Sequence, residues 1–214
     1  MPSRLTVVLM SLLLATPAVA FWLWLVIVPV RVAILCPVEC KCDLGGYLVR
    51  CNRKSLTSVP LINLTDVLVL NLSNNNITLL QKNIFVSMTE LKILYIDFCE
   101  LRTIELGAFN GLTKLTQLSM NDNQLSDILP GTFENTISLE NLDLYDNKIK
   151  HLNSSMFGGL GAFTGLTNLK SLFIVRNDIS EIRPGTFEDM SNLVYLNLSY
   201  NRFEHLDSAV SSGL

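Results

Sequence analysis

Histidine is scarce in this 214-residue chain: there are two, His151 and His205. No glycine-rich phosphate loop and no G-x-S-x-G stretch occurs. Those gaps remove the commonest signatures of nucleotide-dependent and serine hydrolase chemistry. Positive charge is not in excess either, with 16 Lys and Arg against 19 Asp and Glu, a net charge of -3. By composition the chain is therefore not a nucleic-acid binder. Charge is missing altogether from Leu5 to Val30, between Arg4 and Arg31. As a helix rising about 1.5 Å per residue, that run is long enough to cross a hydrocarbon core of roughly 30 Å.

Two readings fit residues 1–35. Arg4, the apolar Leu5–Leu14 run and the small residues Ala18, Val19 and Ala20 read as a secretory signal cleaved after Ala20. The other is an uncleaved signal-anchor ending near Pro29. We take the first as primary. Either places residues from 36 onward outside the cytosol, secreted or on the extracellular face of the plasma membrane. Contact with the membrane is then expected only through residues 5–30, if these stay uncleaved.

Four of the five cysteines, Cys36, Cys40, Cys42 and Cys51, cluster just after this segment. Such spacing can hold zinc, but no histidine lies nearby and the secretory signal favours disulfides. Four cysteines permit three pairings. The fifth, Cys99, stands alone in "LYIDFCEL".

What the chain does have is a repeat. Segments beginning at Val67, Leu91, Leu115, Leu139, Leu169 and Leu193 share the pattern L-x-x-L-x-L-x-x-N/C-x-L. Their ninth residues are Asn75, Cys99, Asn123, Asn147, Asn177 and Asn201, spaced by 24 residues except for 30 between Asn147 and Asn177. Counting back 24 from Asn75 lands on Cys51. At position 19 stand Phe85, Phe109, Phe133, Phe157 and Phe187, while Thr136 departs from the Leu or Met found in the other repeats. The six extra residues fall in "FGGLGAFTGL" and read as a bulge on the return segment.

This pattern resembles the extracellular leucine-rich repeat proteins. The resemblance implies an α/β repeat fold, a curved solenoid with a parallel β-sheet on its concave face and mostly irregular or short-helical return segments. Each unit shares its apolar side with its neighbours. It also implies a cysteine-rich N-terminal cap over residues 36–66, pairing Cys36 with Cys42 and Cys40 with Cys51. Six repeats then fill 67–214, and the C-terminal cysteine cap usual in the family is absent, which we read as truncation. At the ninth position a cysteine is small, usually buried and a weak donor, so Cys99 is expected to be structural.

The outward strand positions carry the functional expectation. Carboxylates gather mid-sheet at Asp97, Asp122, Glu140, Asp143 and Asp146, flanked by Tyr95, Phe98, Tyr145, Phe173, Tyr195 and Tyr200. Like charges on adjacent strands cost stability, so folding alone does not account for them. Exposed aromatics beside charge are the usual anchors of protein recognition. We expect a ligand site of Tyr95, Asp97, Phe98, Asp122, Asp143, Tyr145, Asp146, Phe173, Arg176 and Tyr195, with an extracellular protein, basic by electrostatic match, as partner. Sequons at Asn63, Asn71, Asn76, Asn153 and Asn197 are candidate glycosylation sites.

Catalysis is not expected: the open sheet has no closed cleft, the two histidines are too far apart for a shared metal, and rigid strands do not wrap calcium. No cofactor and no metal is implied. The resemblance points to adhesion, guidance-type or immune recognition. Its alternatives are a structural matrix protein of the small leucine-rich proteoglycan type and a truncated ectodomain of a Toll- or Slit-like receptor.

Overall fold

A computed structural model describes residues 36–43, 45–61, 65–152, 161–183 and 185–204. The N-terminal apolar segment, Asn63, Asn153, Phe157 and His205 lie outside these residues. The chain divides into two units, Met1–Leu35 and Cys36–Leu214, and every described residue belongs to the second.

Its frame is one eight-stranded sheet. β1 (Lys41–Cys42) runs antiparallel to β2 (Leu48–Arg50). Six strands then add in parallel: β3 (Val69–Asn71), β5 (Ile93–Tyr95), β7 (Gln117–Ser119), β8 (Asn141–Asp143), β10 (Ser171–Phe173) and β12 (Tyr195–Asn197). Corresponding repeat positions pair throughout, with Leu70, Leu94, Leu118, Leu142, Leu172 and Leu196 in one row. The return side carries two short pairs, β4 (Leu79–Leu80) with β6 (Thr103–Ile104), and β9 (His151–Leu152) with β11 (Glu181–Ile182). Between these the return segments are turns, and no helix occurs among the described residues.

Alternation decides the faces. Side chains at the fourth and sixth positions point inward, and Leu70, Leu72, Leu94, Ile96, Leu118, Met120, Leu142, Leu144, Leu172 and Ile174 are fully buried. Each such side chain contributes about 1.5–3 kcal/mol. A lone repeat has no second surface to bury them on, so stacking supplies the core. In the last repeat Leu193, Leu196, Leu198 and Phe203 are only partly buried.

Two ladders run the length of the stack. The first is aromatic: Phe85, Phe109, Phe133, Phe163 and Phe187 stack with successive ring centroids 6.2, 5.7, 6.3 and 6.3 Å apart. Phe163, not Phe157, holds the fourth rung, which corrects the sequence reading. Counting forward from Leu139 leads to Phe157, but the insertion is taken up before the rung, between Leu152 and Phe163. Gly165 repeats the conformation of Gly111, both at φ +89°, two residues after their rungs. A Cβ on Gly111 would stand 2.6 Å from the Val86 carbonyl oxygen. Thr136, the odd residue in its row, is fully buried and donates its hydroxyl to the Phe133 carbonyl at 2.8 Å.

The second ladder is polar. The carboxamide of Asn123 donates to the Ile96 and Met120 carbonyls at 2.7 and 3.1 Å. Its oxygen accepts the Cys99 and Leu101 N–H groups at 3.0 and 2.9 Å. Asn75, Asn147, Asn177 and Asn201 do likewise between their own neighbours. One side chain thus satisfies backbone groups that the turning chain leaves without a ladder partner. Cys99 takes this place in its repeat, fully buried, with Sγ 3.2 Å from the Leu72 carbonyl oxygen. Burial pushes its thiol up to about 11, so it stays neutral and structural.

The cap holds the two expected disulfides, Cys36–Cys42 and Cys40–Cys51. Cys51 is not a ninth-position residue, however. Strand pairing sets Arg50 beside Asn71, a step of 21 residues, so Cys51 lies level with Leu72 on the inward face. The 24-residue count fails there because the cap strand belongs to a hairpin rather than to a full repeat.

Candidate functional site

The same alternation turns the third, fifth and seventh positions outward, and the eighth lies just beyond the strand end. All six eighth-position residues, Asn74, Phe98, Asp122, Asp146, Arg176 and Tyr200, are left-handed, with φ between 51° and 59°. The turn after the strand imposes this on every repeat. Asn and Asp tolerate it; Phe98, Arg176 and Tyr200 hold it against their preference.

Arg176 organises one end of the face. Its guanidinium carbon lies 5.6 Å from the Tyr145 ring centroid and 5.7 Å from that of Tyr200. Its Nη1 donates to the Tyr145 hydroxyl at 2.7 Å and stands 3.8 Å from Asp146. Phe173 and Tyr195 lie on adjacent strands, β10 and β12, and Tyr195 is 64% exposed.

The expected acidic group separates into three kinds. Asp97 is explained by folding: its carboxylate accepts the Ser119 and Ser73 hydroxyls and the Asn121 N–H at 2.9 Å. For this one acid, the only carboxylate at the seventh position, folding does supply the account that like-charge crowding argued against, because it stitches neighbouring strands together. Glu140 forms an exposed ion pair with Lys170 at 3.0 Å, and Asp143 accepts the Tyr145 N–H at 3.2 Å. Asp122 differs. Its carboxylate has no hydrogen-bond or ion-pair partner among the described residues. Partial burial, then the neighbouring Asp146, Asp97 and Asp143, raise its pKa, with Arg176 opposing them.

Asp122, Asp146 and Phe98, the last 54% exposed, line a shallow depression of about 440 Å³ beside the strand ends. Asn123 of the polar ladder also lines it, as do Glu100, Gln124 and Lys148. Sequence reasoning missed these three because it stopped at the eighth position. They occupy the variable tenth position of N/C-x-L, which faces solvent between two buried residues. Tyr95 sits on β5, half-buried beside Ser119 and Asn71, outside both clusters. No group of three metal-ligating side chains occurs among the described residues.

The leucine rich repeat family pattern matches residues 65–125, 89–149 and 167–214. The chain belongs to the leucine-rich repeat family. A crystal structure of human 5T4 (Wnt-activated inhibitory factor 1, trophoblast glycoprotein) has a TM-score of 0.67 and 24% identity, covering 80% of this chain. A crystal structure of a TLR13–ssRNA13 complex has a TM-score of 0.59 and 28% identity, covering 70% of this chain. This chain spans 65% of the 5T4 chain and 21% of the TLR13 chain. No curated protein matches it in sequence. The neighbours show the fold, and the paired cysteines fit an oxidising, extracellular or cell-surface setting.

Proposed function

We propose that this leucine-rich repeat chain is an extracellular recognition module that binds a protein ligand on the outward face of its sheet. One observation carries the reading: Phe98, Phe173, Tyr195 and Tyr200 are exposed on this face or at its strand ends, beside carboxylates and one arginine. Aromatics and arginine are the residues that protein interfaces concentrate at their energetic centres. An RNA ligand, such as the one in the TLR13 complex, meets Asp122, Asp143 and Asp146 here, charges that oppose phosphate.

Two sequons lie on the same face. Asn71 and Asn197 occupy the fifth position in the first and last repeats, at opposite ends of the parallel strand set. Each turns its carboxamide oxygen to the N–H two residues on, at 2.9 and 3.0 Å. The amide nitrogen, which would carry a glycan, is uncommitted among the described residues. A glycan on Asn71 would bound a ligand on that side, whereas Asn197 pairs across the strands with Phe173 and a glycan there would crowd that anchor; Asn76 is exposed past the end of its strand.

The full chain, produced in secretory cells and fluorescently labelled, tests this on intact mammalian cells. Saturable binding is expected, abolished when the cells are first treated with protease and weakened at least tenfold by Phe173→Ala with Tyr195→Ala. Binding that survives protease, or is indifferent to the two substitutions, refutes the reading.

A further inference from the structure

The chain itself shows how this face holds a guanidinium. Arg176 lies between two tyrosine rings, with a carboxylate at its edge and a hydroxyl accepting one of its protons. Toward the N-terminus the eighth-position row continues as Asp146, Asp122 and Phe98, the same kinds of group around the shallow depression. We propose that this depression seats an arginine side chain from a basic, extended segment of the protein ligand. The inference rests on the recognition reading above and gives that ligand its chemistry.

Four features support the assignment. Glu100, Asp122 and Asp146 face one lysine, Lys148, around the rim, so the space is acidic on balance. Asp122 has no partner within the chain among the described residues, whereas Asp97 beside it is fully engaged. Asp146 meets Arg176 only at 3.8 Å, beyond hydrogen-bond distance, which leaves its oxygens open to a second donor. The Phe98 ring stands exposed at the far edge, where a flat cation can stack.

Arginine suits the seat better than lysine. Its planar fork can reach two carboxylates while stacking on a ring, whereas an ammonium is a compact point charge. Arg176 also sets a limit, because a ligand cation placed beyond Asp146 meets like charge. The ligand's arginine therefore lies over the second to fourth repeats, and what it presents to Phe173, Tyr195 and Tyr200 is uncharged or acidic.

The probe is a fluorescein-labelled peptide, Gly-Arg-Gly-Arg-Gly-Arg-Gly, read by anisotropy against the full chain in about 50 mM salt. Its glutamate counterpart serves as the control. The arginine peptide is expected to bind at least tenfold tighter than the glutamate peptide. Asp122→Asn with Asp146→Asn should weaken it at least tenfold, and Phe98→Ala about threefold. Asp127→Asn, an exposed acid on the return side, should change nothing. Equal binding of the two peptides, wild-type affinity in the double variant, or an equal loss with Asp127→Asn overturns the proposal. If the arginine peptide fails while protease-sensitive cell binding persists, only the arginine seat falls. If both fail, the recognition reading falls with it.

Discussion

Replacing Cys99 with asparagine should stabilise this protein. In every other ladder position the carboxamide oxygen accepts an N–H from the ninth or eleventh residue of the preceding turn, and Asn123 accepts both. The groups awaiting Cys99 are the N–H of Asn75 and that of Ile77, and a thiol has no oxygen to receive them. Sulfur offers one weak donor, toward Leu72 at 3.2 Å, and weak acceptance of the Asn75 N–H. A well-formed buried hydrogen bond contributes about 1 kcal/mol net. One new acceptance at Ile77 and a stronger one at Asn75, less partial loss of the thiol's packing, give a gain of about 1 kcal/mol. For a chain of this length 1 kcal/mol moves Tm by roughly 2–4 °C.

Cys99→Ala gives the comparison. It removes the weak donor and leaves a void, at a cost of about 1–2 kcal/mol. Melts followed by circular dichroism, with urea midpoints alongside, read both variants. If Cys99→Asn melts below wild type, or no higher than Cys99→Ala, the ladder does not supply the acceptance inferred for it.

Three other outcomes are expected. Iodoacetamide at pH 8 should leave Cys99 unmodified in the folded protein, since its thiol is buried and held near 11; intact mass should show one alkylation only after denaturation. Phe163→Ala should cost about 3–5 kcal/mol by removing a fully packed rung, and a urea midpoint near wild type would return the rung to another residue. Asp122→Asn should stabilise the fold at neutral pH by about 0.5 kcal/mol, the scale of a like-charge cross-strand contact. Because folding raises the pKa of Asp122, the wild type loses stability as pH climbs from its unfolded value through its folded one. The variant's advantage should therefore shrink as pH falls through the same window, and an advantage independent of pH would refute the cause given.

The fold was largely legible because its rule is arithmetic. A period of 24, with leucine or another apolar residue at positions 1, 4 and 6, fixes strand register and inward faces together. Legibility failed where counting met an exception. Phe157 and Phe163 are each followed by a glycine at +2 and a leucine at +3, so only packing against Phe133 and Phe187 chooses between them. Cys51 matched the 24-residue count, but the hairpin of the cap shortened the step to 21. On the outward face the residue types were readable and their pairing was not. That Asp97 is engaged while Asp122 is free depends on the two serines and the N–H that converge on the first.

The eighth position explains why a site can sit on so regular a scaffold. Left-handed backbone there costs an ordinary side chain about 1–2 kcal/mol relative to the right-handed region. Every repeat meets that demand, so strain alone singles out none of them. What differs is the answer. Asn74, Asp122 and Asp146 belong to the types that accept the conformation, whereas Phe98, Arg176 and Tyr200 do not. Those three are also the ring at the edge of the depression and two members of the arginine cluster. A sequence chosen for stability alone would place asparagine, aspartate or glycine at all six. The three departures are disfavoured by the local backbone and fall on the surface proposed above for binding. The proposed site therefore sits at the strand ends, on side chains that local backbone preference by itself would have replaced.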